Sequence, residues 1–222
     1  MSGFPPDAAR RFVRAETALV SPPLLPEIRL HLATEITPLW QATEAELAAS
    51  GLPPPYWAFA WVGGQALARH ILEHGGLVRG KRVLDFAAGS GVAAIAAARA
   101  GAASVAASEL DPLALAALAL NAEANGVAIE ALAVDVTAEG APDGEWQVIL
   151  CGDICYERPM AERATAWLRR RAARGAQVLL GDPGRAYLPK QGLVELARYF
   201  VPTTRELEDR DSREVAIYLL TP

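Results

Sequence analysis

An α/β fold built on a doubly wound parallel sheet is what this 222-residue sequence predicts, on three observations. From residue 61 onward, short apolar runs alternate with helical patterns of about ten to fifteen residues, the spacing of strand–helix–strand units. A string of small residues, Ala87-Ala88-Gly89-Ser90-Gly91, directly follows the first of those runs. Hydrophobic residues make up 52 % of the chain and charged ones 21 %, enough apolar material for a sizeable core.

Taken in order, the N-terminal part is rich in prolines that break helices and remove backbone donors: Pro5, Pro6, Pro22, Pro23, Pro26, Pro38, Pro53, Pro54 and Pro55. Short elements are expected there, with helices over about 26–34 and 43–49, forming a cap over residues 1–60. The main domain is expected over 61–222. Residues 64–74 place Leu67, Ile71 and Leu72 on one helical face. Strands are read at 82–86, 104–108, 129–134, 147–151 and 177–180. Helices are read at 91–100, 112–125, 159–172 and 190–200. The helix at 112–125 has Pro112 in its first turn after Asp111, and Asn125-Gly126 at its end. Segments 203–207 and 214–220 read as a closing hairpin that adds an antiparallel member to the sheet.

Composition removes several function classes. The net charge of −5, from 26 acidic and 21 basic side chains, argues against a nucleic-acid surface. Cys151 and Cys155 are too close for a disulfide framework, and His31, His70 and His74 lie far from them, so no metal site is expected. The richest apolar stretch, 92–120, is interrupted by Arg99, Gly101, Glu109, Asp111 and Pro112, so no membrane span is expected. The N-terminus has no apolar signal core, and Asp7 and Glu16 among Arg10, Arg11 and Arg14 argue against a transit peptide. A cytoplasmic protein is the expectation.

The chemistry concentrates at strand ends, where ligands of such sheets bind. Small residues over 87–91 let a ligand approach the backbone. Gly89-x-Gly91-x-x-Ala94, with Glu109 about twenty residues on, fits a dinucleotide fingerprint. Yet Asp85 stands immediately before the loop, where it would repel a pyrophosphate and attract an ammonium group. Asp135 follows the third strand and suits an adenine amino group. Three acids at consecutive strand ends therefore favour S-adenosylmethionine over a nicotinamide cofactor. The alternatives are a helix-terminal charge for Glu109 and a solvated turn acid for Asp135.

These residues, with the block 55–67 (Pro-Tyr-Trp-Ala-Phe-Ala-Trp-Val-Gly-Gly-Gln-Ala-Leu), Gly152-Asp153-Ile154-Cys155-Tyr156 and Gly181-Asp182-Pro183-Gly184-Arg185, resemble the class I, seven-β-strand methyltransferases. The resemblance is closest to the protein lysine methyltransferases with an Asp-x-x-Tyr/Phe motif, and among them to the family acting on the electron transfer flavoprotein β subunit. It implies a Rossmann-like, doubly wound seven-stranded sheet with its last strand antiparallel. It further implies S-adenosylmethionine as cofactor, a protein substrate and methyl transfer to a lysine ε-amine; the alternatives are a class I methyltransferase acting on another protein or a small amine, and a non-catalytic cofactor-binding module. A monomeric enzyme is expected. In this reading Trp61 and Gly64 close over the cofactor, which Asp85, Ala88, Gly89, Gly91, Glu109 and Asp135 hold. Asp153 orients the lysine, or else caps the following helix; Tyr156 walls the lysine channel, or else packs. Trp57 and Phe59 are read with Trp61 as an aromatic clamp, Cys151 and Cys155 as packing, and Arg169–Arg171 with Arg174 as a solvated helix end. Arg185 is read as meeting an acidic patch on the substrate or as a plain surface residue. One departure stands out: Ala87 replaces the first glycine of the family's loop, which is compatible with binding provided its φ stays negative.

Overall fold

The computed structural model describes residues 5–34, 39, 54–141 and 144–222. Its centre is a seven-stranded sheet: β3 (Arg82–Phe86), β4 (Ser104–Ser108), β5 (Glu130–Leu132), β6 (Val148–Gly152), β7 (Gln177–Asp182), β8 (Leu193–Pro202) and β9 (Ser212–Leu220). The strand order is β5-β4-β3-β6-β7-β9-β8. Neighbours from β5 through β7 pair in parallel, while β9 runs antiparallel between β7 and β8. The expected seven strands with an antiparallel last member are therefore present.

Before the sheet come α1 (Pro6–Glu16), a two-stranded ribbon of β1 (Ala18–Val20) and β2 (Leu30–Leu32), a 3-10 turn (Tyr56–Ala58) and α2 (Val62–Glu73). Between strands lie α3 (Val92–Arg99), α4 (Pro112–Ala124), α5 (Arg158–Ala173) and the short α6 (Arg205–Glu208). On one face α2 and α3 bury Leu67, Ile71, Ile95 and Ala94 against Val83, Val148, Leu150 and Leu179. On the other, α5 packs Ala164, Trp167 and Leu168 on Leu84, Phe86, Ile149 and Cys151, with Trp167 stacked on Phe86 at 5.6 Å. Cys151 and Cys155 are free and fully buried, as the packing reading expects. Among the described residues no helix is long and apolar enough to cross a membrane.

Two expected helices are strands. Residues 30–32 pair with 18–20, alternating buried Leu30 and Leu32 with His31. The extended form is pinned by α4: the Asn121 amide oxygen accepts from the His31 N–H at 2.7 Å, and Asn125 accepts from the Arg29 N–H and donates to its carbonyl. The other is 190–200. Its Leu, Ala, Glu and Arg favour a helix locally, but residues from Leu193 to Pro202 pair along β9 with a bulge between Glu195 and Ala197. Sheet pairing and the burial of Val201 outweigh that preference. The closing hairpin is consequently β8–β9, and 205–208 is helical rather than a strand. The proposed helix at 43–49 lies outside the described residues, whereas α1, unforeseen, packs Ala9 and Val13 against Leu113, Ala117 and Leu120 of α4.

The N-terminus of α2 sits unusually close to the strand ends, on glycines from both sides. A Cβ on Gly181 would overlap the Gly63 carbonyl oxygen, and one on Gly152 would lie 2.8 Å from the Gly64 nitrogen. Gly181→Ala is expected to destabilise the fold by about 2 kcal/mol, because the obstacle is backbone and cannot rotate away. Urea denaturation checks this; an unchanged midpoint would show that α2 can shift freely.

Candidate active site

A cavity of about 440 Å³ opens at the carboxyl ends of β3, β4 and β6, where the chain path reverses direction across the sheet. Its wall includes Trp61, Gly64, Asp85, Ala88, Gly89, Glu109, Asp135, Asp153 and Tyr156. One expected cofactor contact, Gly91, is not in that wall. It starts α3 at φ +76°, and a side chain there would collide with Leu118. Its role is to turn the backbone and to let α4 approach.

The loop from β3 to α3 takes left-handed φ at Ala87 (+53°), Gly89 (+52°) and Gly91 (+76°). The condition of a negative φ at Ala87 is thus not met: the alanine stands in the left-handed region that favours glycine. A Cβ in that region costs about 1 kcal/mol. Ala87→Gly is therefore expected to raise stability by about 1 kcal/mol while retaining the loop shape. A lower urea midpoint in that variant would contradict the assignment.

Asp85, one residue before the end of β3, is almost fully buried, with Oδ2 accepting from the Ala94 N–H at 2.9 Å. Burial pushes its carboxyl up to about 8; the Ala94 N–H opposes this and Glu109 adds to it. Among the described residues no cation pairs with it. Glu109, after β4, is held by three N–H groups: Gly89 on Oε2 at 3.0 Å, and Leu110 and Asp111 on Oε1. Asp135, past β5, accepts from the Thr137 N–H and hydroxyl and lies 3.3 Å from Arg163. Partial burial pushes Asp135 up, but Thr137 and then Arg163 hold it below the ordinary value. The three acids thus line one cavity with their backs braced.

Asp153 follows β6 at φ +53°. Its Oδ2 accepts from the Gly64 N–H at 3.1 Å, an approach that the α2 glycines permit. Its Oδ1 accepts from Arg185 Nη2 at 2.8 Å and Nε at 3.2 Å. Burial pushes its carboxyl up to about 6; Arg185 pulls it down, and Asp182 and Glu208 push it up again. It does not cap α5, whose N-cap residue is Glu157 with no side-chain cap. Tyr156 is 42 % exposed at the cavity rim, its ring 5.5 Å from Tyr56. Trp61 donates to the Tyr56 carbonyl at 2.8 Å and packs beside Phe59, while Trp57 turns into the core.

Two further readings are corrected. Arg185 is neither a surface residue nor free to meet a partner: it bridges Asp153 and Glu208 beneath the Trp61 ring. Arg171 is buried, lying over the rings of Trp146 and Trp167, and Arg169 Nη2 donates to the Gln191 carbonyl at 2.6 Å. The sequence reading missed Glu208 and Arg163 as partners of site residues. Neither has a local signal, because each arrives from a distant element.

A seven-stranded sheet in this order with an antiparallel last strand, a glycine-type loop and acids at successive strand ends define a class I methyltransferase. Residues 67–157 match the ribosomal protein L11 methyltransferase (PrmA) family. The fold is shared with magnesium protoporphyrin IX methyltransferase from Synechocystis, at 21 % identity over 72 % of this chain and 81 % of that one, with a TM-score of 0.51. It is also shared with the ribosomal protein L11 methylase of Lactobacillus delbrueckii, at 21 % identity over 74 % and 81 %, with a TM-score of 0.51. Over almost the whole sequence the electron transfer flavoprotein beta subunit lysine methyltransferase of Xenopus laevis is 38 % identical, covering 96 % of this chain and 87 % of its own. That of Danio rerio is 35 % identical over 96 % and 83 %. The chain belongs to the electron transfer flavoprotein beta subunit lysine methyltransferase family.

Proposed function

We propose that this chain transfers a methyl group from S-adenosylmethionine to a lysine ε-amine of the electron transfer flavoprotein β subunit. The observation that carries the reading is the single cavity shared by Asp85, Glu109 and Asp135 at one end and Asp153 with Tyr156 at the other. Support for the substrate comes from the family's similarity along the whole chain.

The buried, cation-free carboxylate of Asp85 fits the cofactor's ammonium group, Glu109 its ribose diol, and Asp135 its adenine amine. Ala88 and Gly89 offer backbone without bulk, while Trp61 and Gly64 cover the ligand. When bound, S-adenosylmethionine supplies an activated methyl group on a positively charged sulfur. The chain's own work is then positional. Asp153 accepts a hydrogen bond from the lysine amine and aims its lone pair at the methyl carbon. The new N–C bond takes that lone pair, the C–S pair stays with sulfur, and the surplus proton leaves the methylated amine for solvent. The Tyr156 ring face walls the approach and suits a cationic centre.

This reading carries with it a monomeric enzyme in the cytoplasm. Incubation with recombinant flavoprotein β subunit and isotope-labelled cofactor, followed by mass spectrometry, tests it. Labelled lysine in the β subunit is the expected result. Ribosomal protein L11 is the informative control, because the model of that family matches residues 67–157 and a relative of that name aligns over 55 % of this chain. Label on L11 alone would overturn the substrate assignment.

A further inference from the structure

Between Asp153 and Glu208 the structure places a permanent positive charge in the cavity wall. Arg185 is fixed from four directions. Its backbone N–H is accepted by Asp182 at 2.7 Å. Its side chain donates to Asp153 on one side and to Glu208, at 2.5 and 3.1 Å, on the other. The guanidinium carbon lies 5.9 Å from the Trp61 ring centre. Glu208 is itself tied to Arg213 at 3.4 Å. The Arg185 side chain is 19 % exposed and lines the cavity, so its charge is felt there rather than screened by bulk water.

An isolated carboxylate beside the target lysine would work against the reaction. It would stabilise the ammonium form, whose ordinary pKa is about 10.4 and which has no lone pair to donate. A carboxylate offers about four acceptor sites. Arg185 takes both sites of Oδ1 through Nη2 and Nε, and Gly64 takes one of Oδ2, which leaves Oδ2 room for a further donor. A guanidinium does not give up its proton at working pH.

We propose that Arg185 is a positioning residue for methyl transfer: it cancels the charge of Asp153 while leaving Oδ2 able to accept, so that the target lysine is held as a neutral amine. The inference rests on Asp153 being the lysine-binding acid. The groups facing that carboxylate are the Gly64 N–H from α2, Arg185 and Asp182 from the end of β7 and its following loop, Glu208 from α6 with Arg213 behind it, and the Cys155 thiol. Removing the cation makes the lysine–Asp153 pair hold its proton more tightly; removing the Glu208 anion does the reverse.

The test is the pH dependence of kcat for methylation of the flavoprotein β subunit by the full chain. In Arg185→Gln the rising limb is expected to move to higher pH by about one unit, with kcat near neutrality falling about tenfold and recovering in alkali, and KM no worse. In Glu208→Gln the limb moves to lower pH. Thermal unfolding of both variants checks that each is folded. A pH-independent loss of kcat with the limb unmoved in both would overturn the proposal. Carboxyl-carbon NMR of Asp153 reads the same coupling without substrate: its titration should rise in Arg185→Gln and fall in Glu208→Gln, and an unchanged titration also overturns it. If the wild-type enzyme methylates no lysine of the β subunit, the proposed substrate fails, and the Asp153 titration alone then decides whether Arg185 governs that acid.

Discussion

Replacement of Asp153 by asparagine is expected to lower the rate of methyl transfer about 100- to 1,000-fold while leaving cofactor affinity within about twofold. Asparagine is the cleaner choice than alanine on two grounds. It tolerates the left-handed φ of +53° at this position, and it keeps the shape that Gly64 and Arg185 enclose. What it loses is the negative charge and one acceptor oxygen, so either Arg185 or the Gly64 N–H, with the lysine amine beside it, faces an NH₂ group. Alanine would also leave Arg185 paired with Glu208 alone, adding a stability loss to the catalytic one. Single-turnover transfer measured beside calorimetric binding separates the two quantities. Turnover near that of the wild type would remove Asp153 from the mechanism.

The second large effect lies at the other end of the cavity. Asp85→Asn is expected to weaken S-adenosylmethionine binding about 10- to 100-fold, the range of a charged hydrogen bond lost in a buried site. The pH dependence sharpens this. Burial holds the Asp85 carboxyl at about 8, against an ordinary 3.8. Below about 8 the empty site is therefore mostly protonated and must release a proton to meet an ammonium. Affinity should accordingly climb by up to about tenfold per pH unit from 6 toward 8, levelling where the ligand's own amine begins to titrate. In Asp85→Asn that climb should vanish. The same shift sets a stability trend in the ligand-free protein. The folded state binds the Asp85 proton more tightly than the unfolded chain does. This contribution is full below 3.8 and is lost as pH rises through about 8. Calorimetry across that range settles the matter, and a flat affinity profile in the wild type would contradict an ammonium contact.

The strand ends were legible because a buried parallel strand announces itself as an apolar run, and an acid at its end is conspicuous. Asp85, Glu109 and Asp135 could be placed this way, with β3 and β4 found to the residue. Residues 193–202 were not, since their side chains favour a helix and only pairing to β9 decides otherwise. The same limit hid the N-terminal ribbon, whose form depends on two asparagines of α4 about ninety residues away. At the site, Asp153 was visible from its motif, but the direction of Arg185 was not. Whether an arginine turns outward or inward depends on what waits inside. Here Glu208, from an element with no strong sequence signal, completes the bridge.

Asn121 gives the N-terminal ribbon a reach beyond its own packing. Its side chain is fully buried; the oxygen takes the His31 N–H, and the nitrogen donates to the Ser90 carbonyl in the loop between β3 and α3. One amide thus ties the first strands of the polypeptide to the loop that lines the cavity. Cutting away those strands would strip a buried acceptor of its donor and slacken a loop that lies far along the chain. The leading residues belong, in energetic terms, to the same lever arm as the cofactor seat, and shortening the protein from its front would be felt at its centre.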